Sequence, residues 1–253
     1  RMDLKLTGHN VIITGGTKGI GRAIAETLAE EGCNIAICAR NADDVSSAVA
    51  SLSAKGVKVT GQALDVADGD AFAAWINSVG EELGGIDAFV SNVSGGNAPG
   101  DAGWISEFNF NILSAVHGVE ACKPFFEKSS NASVVMISTT AALEHFMNAG
   151  TYNAMKAGLL NYSGALSQEL GAKGVRVNAI SPGPVFIEGG SWDKIKQGMT
   201  AFYDSTLATI PLGRMGTAEE IAAQAALLIS PLGGFTTGTN VVIDGGMTKR
   251  IQY

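Results

Sequence analysis

The sequence has few of the residues that build metal sites and disulfide frameworks. It contains three cysteines and three histidines in 253 residues. Cys33, Cys38 and Cys122 have neither an even count nor CxxC spacing, which predicts buried free thiols. The histidines form no HExxH or comparable metal-binding pattern. We therefore expect no metal site.

Charge is also scarce, and most of it is negative. Charged residues make up 16% of the chain, the formal net charge is −7 and the sequence pI is about 5.0. This balance leaves no basic stripe for a nucleic acid or an anionic membrane. Apolar runs such as 134–137 and 222–229 fall short of the ~20 residues that a bilayer span needs, and no signal-peptide-like segment opens the chain. We expect a cytoplasmic protein that acts on small molecules.

The chain does contain a regular alternation of short β-branched runs and longer stretches of helical period. The predicted strands are 10–14, 34–38, 57–62, 86–91, 133–138, 175–181 and 240–243. The predicted helices are 19–31, 42–55, 70–83, 105–126, 151–170 and 218–229. This order predicts an α/β fold, a doubly wound parallel sheet of the Rossmann type with about seven strands and helices on both faces.

One domain is expected to span residues 1–253, since the chain has a suitable length and no linker-like stretch. Residues 182–215 are irregular and contain three prolines and a weakly helical segment at 192–207. Long irregular stretches in compact domains are commonly functional. We therefore predict a substrate-covering loop and helix insertion at about 184–215, near the carboxyl ends of the strands, where ligands bind.

A glycine-rich loop joins the first predicted strand to the first predicted helix. Gly15 can turn tightly, Gly19 lets backbone approach a pyrophosphate, and Gly21 permits close helix packing. Free N–H groups and the helix dipole favour an anion there. A plain glycine-rich turn is the alternative, but such a turn needs no helix directly after it. The predicted phosphate cradle comprises Gly15, Thr17, Lys18, Gly19, Ile20 and Gly21.

The end of the second predicted strand bears on the choice of cofactor. NAD-binding folds place an acidic residue there for the ribose 2′-hydroxyl. This chain has Arg40 instead, whose guanidinium suits a 2′-phosphate, and Lys18 can add a second positive charge. NADP(H) is therefore favoured over NAD(H), with two solvated surface cations as the alternative.

Tyr152 and Lys156 lie four residues apart near the start of a predicted helix, so their side chains share one face. A lysine cation within ~6 Å favours the phenolate and lowers the pKa of a tyrosine from its usual value of about 10. Such a tyrosine can act as a general acid or base.

Several motifs occur in the order and spacing of the short-chain dehydrogenases/reductases. They are the glycine loop, Asn92, Asn111, the Ser138-Thr139 pair, Tyr152, Lys156 and Pro182-Gly183. The resemblance covers nearly the whole chain. The ending at 242–246, VIDGG, is similar to the subgroup that includes the 3-oxoacyl-acyl-carrier-protein reductases.

The resemblance implies roles for these residues. Tyr152 would be the general acid in carbonyl reduction and the base in alcohol oxidation, while Lys156 would lower its pKa and hold the nicotinamide ribose. Asn111 would position a water that links Lys156 to solvent. The implied cofactor contacts are Asp65 and Val66 at the adenine, Asn92 and Val93 beside the cofactor, and Pro182, Gly183 and Val185 on the nicotinamide-side loop.

The chain departs from the family pattern at three places. The substrate-binding hydroxyl usually stands thirteen residues before the tyrosine, and that position is Thr139, one after Ser138. Neighbouring side chains of a strand face opposite ways, so only one can face the substrate, and we predict Thr139. Ile187 replaces a threonine common in relatives, and 92–95 replaces a common Asn-Ala-Gly stretch. Both bear on cofactor affinity.

Bulky apolar residues are the candidate substrate contacts, with core or interface packing as the alternative. They are Phe146, Met147, Phe186, Trp192, Met199, Phe202 and Tyr203. His145 is a further candidate, although a structural histidine is the favoured interpretation. They favour an apolar or ring-containing carbonyl, and the resemblance keeps acyl substrates open. It also implies a homotetramer built through the helices of Asn111 and Tyr152 and the last strand, with a dimer as the alternative.

Two other functions use the same fold. One is a non-catalytic NADP(H)-binding redox sensor. The other is an epimerase or dehydratase that uses its nicotinamide only transiently. The combination of Asn111, Tyr152 and Lys156 favours the oxidoreductase, because a pure binding module needs no perturbed tyrosine.

Overall fold

A computed structural model describes residues 2–96 and 98–251. It has one seven-stranded parallel sheet with the strand order β3-β2-β1-β4-β5-β6-β7. The strands are β1 (Asn10–Thr14), β2 (Asn34–Ala39), β3 (Val59–Ala63), β4 (Ala88–Ser91), β5 (Ser133–Ile137), β6 (Arg176–Pro182) and β7 (Asn240–Ile243). The predicted strands are confirmed, with bounds that shift by one or two residues.

Helices cover both faces of this sheet, as predicted. They are α1 (Gly19–Glu30), α2 (Ala42–Ser53), α3 (Gly69–Leu83), α4 (Gly100–Phe108), α5 (Ser114–Phe126), α6 (Thr151–Leu170), α7 (Ser191–Gly198), α8 (Thr200–Ala208) and α9 (Ala218–Ile229). Apolar residues of α1, α2 and α9 share one buried cluster, and those of α3, α5 and α6 share another. The doubly wound fold is therefore confirmed.

The predicted helix 105–126 is wrong in its bounds and continuity. It begins earlier, at Gly100 after the N-cap residue Pro99, and a π-helical segment, Asn109–Leu113, separates α4 from α5. Its first residues carry no apolar periodicity, which hides the start from a pattern search. Single π-turns within helices are frequent at functional sites. The interruption places Asn111 inside the irregular turn.

The strand order reverses between β1 and β4, because β2 and β3 lie on one side of β1 and β4 to β7 on the other. In open α/β sheets, ligands bind beyond the carboxyl ends of the strands at this switch point. The glycine loop after β1 and the segments after β4 and β5 meet at this edge. The irregular stretch after β6 holds α7 and α8 and lies at the same edge.

The three cysteines are free and buried, as predicted. Burial raises the pKa of the Cys33 and Cys38 thiols to about 12 and also raises that of Cys122. These thiols therefore stay protonated and unreactive at neutral pH. Among the described residues, no helix combines the length and apolarity needed to cross a membrane.

Candidate active site

The glycine loop has the conformation that a phosphate cradle needs. Gly15 and Gly19 have φ of +64° and +60°, in the left-handed region that favours glycine. A Cβ on Gly21 would lie 2.3 Å from the Gly15 carbonyl oxygen, so α1 packs directly on the loop. Lys18, the N-cap residue of α1, makes no side-chain hydrogen bond to the first turn. The N-terminal N–H groups of α1 are thus free of a side-chain cap.

Two structural features of this loop were not predicted. A Cβ on Gly16 would lie 2.4 Å from Ile37 Cγ2, so the loop needs glycine here to pass over β2. The Asn92 side chain donates to the carbonyl oxygens of Thr14 and Gly15, at 3.1 and 3.3 Å. Asn92 therefore ties the end of β4 to the glycine loop, a role visible only once the strands are adjacent.

A cavity of about 1400 Å³ lies over the switch point. Of the predicted cofactor contacts, its wall contains Gly15, Thr17, Lys18, Gly19, Arg40, Asp65, Val66, Asn92 and Val93. Ile20 and Gly21 lie in the first turn of α1. On the β6 side, Pro182 ends the strand, the Gly183 N–H donates to the Ile243 carbonyl, and Val185 bridges to Gly216. The volume suits an extended dinucleotide.

The predicted 2′-phosphate pair is arranged asymmetrically. The Arg40 guanidinium lies over the Phe110 ring, 5.7 Å from its centroid, at the wall of the cavity. The Lys18 ammonium forms an ion pair with the Asp44 carboxylate at 2.5 Å. The three charges sum to one net positive charge beside the cavity. Asp44 was not predicted, because it lies one turn into α2.

The hydroxyls of the predicted catalytic residues Thr139 and Tyr152 meet where β5 ends and α6 begins. Thr139 is hydrogen-bonded to the Tyr152 side chain, and its hydroxyl accepts from the Ala141 N–H at 3.2 Å. Ser138 points the other way, and its hydroxyl donates to the Lys156 carbonyl oxygen at 3.0 Å. The two side chains face opposite ways, as strand alternation requires, and the geometry supports Thr139 over Ser138.

The electrostatics differ from expectation. Burial raises the pKa of Tyr152. The hydrogen bond from Thr139 lowers this pKa, and the negative charge of Glu107 raises it further. Burial also lowers the pKa of Lys156 to about 8, against a raising effect of Glu107. The net shift of the Tyr152 pKa is therefore upwards, and the expected lowering by Lys156 stays a prediction. The Lys156 ammonium donates to the Ile137 carbonyl at 2.9 Å.

Asn111 is buried in the π-helical turn, with 1% of its surface exposed. Its amide nitrogen donates to the Glu107 carbonyl oxygen and to Glu107 Oε2, both at 2.9 Å. Its Oδ1 is buried and accepts no hydrogen bond from any described residue. Glu107 was missed in the sequence, where a lone glutamate four residues before Asn111 resembles an exposed helix position.

The irregular stretch after β6 contributes part of the cavity wall. Ile187 lines it, and its Cδ1 lies 3.5 Å from where a Gly19 Cβ would be. The residue that replaces a common threonine thus makes an apolar contact with the glycine loop. Residues 188–191 continue the same wall.

Aromatic rings attach α7 and α8 to the segment before α6. Trp192 and Phe202 stack at 6.0 Å, and Phe146 lies 6.4 Å from each of them. Tyr203 contacts Trp192 and is buried with Ile210 and Met215. Met147 and Met199, in contrast, are exposed. The predicted aromatic residues therefore gather in one cluster, which we call the lid cluster.

A second cavity of about 400 Å³ adjoins the lid cluster. Phe146 and Phe202 form its apolar wall, and Thr140, Ser205, Thr206 and Thr209 add polar groups. His145, the further candidate contact, also lines it. Its volume is that of a small-molecule site.

The chain matches a family model described as enoyl-(acyl carrier protein) reductase over residues 15–248. Isoepoxydon dehydrogenase patN of Penicillium expansum is 36% identical over 255 residues, which cover 98% of this chain and 98% of that protein. The 3-oxoacyl-acyl-carrier-protein reductase FabG of Chlamydia muridarum is 34% identical over 252 residues, 97% of this chain and 100% of that protein.

A solved structure agrees with these matches. L-sorbose reductase from Gluconobacter frateurii, complexed with NADPH and L-sorbose, has a TM-score of 0.91 and 29% identity, covering 99% of this chain and 100% of that one. This chain belongs to the short-chain dehydrogenase/reductase family. It is thus a member of a family of oxidoreductases that act on alcohols and ketones with a nicotinamide cofactor, as the sequence motifs predicted.

The two neighbouring hydroxyls are expected to differ in their effect. Thr139→Ala removes the hydrogen bond to Tyr152, so kcat should fall about 10²-fold, while Thr139→Ser retains most activity. Ser138→Ala removes the side-chain hydrogen bond to the buried Lys156 carbonyl, which should cost about 0.5–1.5 kcal/mol of unfolding free energy and less than about fivefold in kcat. Steady-state kinetics and urea unfolding measure both. An unchanged kcat in Thr139→Ala with a lost one in Ser138→Ala would refute this assignment.

Proposed function

We propose that this protein is an NADP(H)-dependent dehydrogenase/reductase that moves a hydride between the nicotinamide and the carbonyl or secondary alcohol carbon of a small molecule. The hydrogen-bonded pair of Thr139 and Tyr152 is the observation that carries this proposal. The pair lies one helical turn from the buried Lys156, at the sheet edge that holds the dinucleotide-sized cavity.

The residues present fit the cofactor. The uncapped start of α1 and the left-handed Gly15 and Gly19 would hold the pyrophosphate. Val66 is buried at the cavity wall and Asp65 lies beside it, where the adenine would pack. Arg40 and Lys18 would face a 2′-phosphate, which supports NADP(H) over NAD(H). Bound cofactor would supply or accept the hydride.

Tyr152 is the proposed general acid in reduction and the base in oxidation. Because burial raises its pKa, the phenol carries its proton at neutral pH, which is the form that donates. Thr139 would donate its hydrogen bond to the same substrate oxygen. Lys156 would hold the nicotinamide ribose, and the buried Asn111 would position a water that links Lys156 to solvent.

The proposed substrate is a carbonyl compound with an apolar or ring-containing part, or an acyl thioester. Support comes from the second cavity, whose Phe146 and Phe202 walls suit apolar groups and whose hydroxyls can bind substrate oxygens. We propose that residues 184–215 cover the bound substrate, because the lid cluster holds them against the segment before α6. Such a cover would exclude water from the hydride transfer.

We also propose a homotetramer. Trp104, Ile105 and Phe108 expose large apolar side chains on one stretch of α4, and Phe235 is fully exposed just before the edge strand β7. Exposed apolar groups of this kind commonly mark subunit interfaces.

The central test of function is NAD(P)H consumption at 340 nm with a panel of acetoacetyl thioesters, cyclic and aromatic ketones and quinones. The oxidative direction is tested as NAD(P)H formation from NAD(P)+ with isoepoxydon, the compound in the name of the Penicillium relative. Turnover should occur with NADPH, and Tyr152→Phe should lower kcat at least ~10²-fold without changing NADPH affinity, since only the proton donor is lost. Tyr162→Phe, a tyrosine further along α6, is the matched control. Tight NADPH binding without turnover on any compound would favour a redox sensor instead.

Cofactor preference should follow the charges beside the cavity. Arg40→Ala should weaken NADPH binding about tenfold or more and leave NADH binding nearly unchanged, since only NADPH carries the 2′-phosphate. Asp44→Asn should tighten NADPH binding about threefold, because it frees Lys18 from its ion pair. Lys58→Ala, an exposed cation away from the cavity, controls for net charge. Fluorescence titration measures the NADPH and NADH affinities of the wild type and the three variants. Equal effects on both cofactors would contradict the prediction.

The tetramer predicts a single species of about four times the 26.0 kDa chain mass in light scattering. Replacement of Trp104 and Phe108 by serine should shift the mass downwards, since it removes apolar surface from the proposed interface. A species of 26.0 kDa alone at working concentration would refute the assembly.

A further inference from the structure

Glu107 is a buried carboxyl group at the wall of the dinucleotide-sized cavity. Only 3% of its surface is exposed, although it lies on the short helix α4. Burying a carboxylate is costly unless its oxygens are hydrogen-bonded. Both are: Oε1 accepts from the Gly96 N–H at 2.6 Å, and Oε2 accepts from the Asn111 amide at 2.9 Å.

The space for this carboxyl group is formed by a missing side chain. A Cβ on Gly95 would lie 1.9 Å from Glu107 Oε1 and 2.4 Å from Oε2. The Gly96 carbonyl in turn accepts from the hydroxyl of Thr151, the first residue of α6, at 3.3 Å. Glu107 is therefore connected through the 95–96 loop to the helix that carries Tyr152 and Lys156.

The hydrogen-bond donors around Glu107 determine how Asn111 is oriented. Each carboxyl oxygen faces a donor, so the ionised form, which only accepts, satisfies both bonds. The amide nitrogen of Asn111 must then point to Glu107, and its oxygen is left as a buried acceptor. Glu107 therefore orients the Asn111 side chain so that its oxygen is available to accept a hydrogen bond, for example from a water that links Lys156 to solvent.

Glu107 also supplies the charge that opposes the buried Lys156. The Lys156 ammonium is 2% exposed and donates to a neutral carbonyl, that of Ile137. The Glu107 charge raises the pKa of Lys156 against the effect of burial and also raises the pKa of Tyr152. A buried ammonium ion is more easily kept protonated when a negative charge lies nearby.

We propose that Glu107 is a positioning residue of the active site, which orients the Asn111 amide and the 95–96 loop and balances the positive charge of Lys156. This inference rests on the proposed function, in which Lys156 holds the nicotinamide ribose. Glu107 does this without touching the reacting atoms. It acts through Asn111, Gly96 and Lys156.

The test compares Glu107→Gln, Glu107→Asp and the control Glu120→Gln, an exposed glutamate on α5. The first readout is NADPH affinity by fluorescence between pH 6.5 and 9.5, which needs no turnover. Lys156 is charged below its pKa of about 8, so wild-type affinity should weaken as the pH rises past that value. Glu107→Gln removes the charge that raises this pKa, so NADPH affinity should begin to weaken about one pH unit lower. In Glu107→Asp and Glu120→Gln, NADPH affinity should weaken over the same pH range as in the wild type.

The second readout is the split between kcat and KM. Glutamine turns a donor towards Gly96 or Asn111, so kcat should fall at least about tenfold with less than about a threefold change in KM. Aspartate should restore part of kcat, because it keeps an acceptor-only group. Melting temperatures identify variants that only unfold.

Two results would overturn the inference. One is a folded Glu107→Gln variant in which both the pH dependence of NADPH affinity and kcat are unchanged. The other is an equal shift, in the glutamine and aspartate variants, of the pH at which NADPH affinity weakens. Such a shift would show a structural rather than a charge effect. If wild-type protein binds NADPH but reduces no compound, the proposed function fails. The pH dependence of NADPH affinity still decides the role of Glu107.

Discussion

The site depends on how the end of β5 is attached to α6. Two hydrogen bonds cross this junction in opposite directions: the Ser138 hydroxyl donates to the Lys156 carbonyl, and the Lys156 ammonium donates to the Ile137 carbonyl. Together they place one turn of the helix against the strand end. Thr139, which alternation turns to the other face, then meets Tyr152. A shift of this helix by one residue would separate the two hydroxyls.

The same junction explains the unusual ionisation of the site. Packing α6 against the sheet buries Tyr152 and Lys156, and burial disfavours the charged form of both. The phenol of Tyr152 therefore stays protonated at neutral pH, whereas the pKa of the Lys156 ammonium is lowered to about 8. Glu107 works in the same direction on both groups, since its negative charge opposes a phenolate and supports an ammonium. One buried carboxylate thus affects both partners.

The remaining parts of the site are arranged around the switch point between β1 and β4. Asn92 ties the two strand ends together, and Gly16 and Gly21 let the loop lie close to β2 and α1. Ile187 reaches the same loop from the other side of the cavity, and the lid cluster holds that segment in place. Backbone and apolar contacts shape the cavity, and a few charged groups at its rim give it polarity.

Much of this was available from the sequence. Periodicity predicted the strands and most helices, because apolar residues repeat with the period of the element they belong to. The glycine loop and the Tyr152–Lys156 spacing also followed from local geometry, and the choice of Thr139 over Ser138 followed from the resemblance to the family. Each of these depends on residues that are close in the chain, or on motifs whose order is characteristic of the family.

Tertiary structure decided the interactions between segments distant in the chain. The contact of Glu107 with Gly96, the ion pair of Lys18 with Asp44 and the stacking of Trp192 on Phe202 have no signal in local periodicity. The π-helical turn at Asn111 and the raised pKa of Tyr152 likewise arise from packing. Sequence by itself determined the fold and the candidate site residues, because these follow from periodicity, short-range spacing and family motifs. Burial and charge, which set how those residues ionise, depend on what the folded chain brings around them.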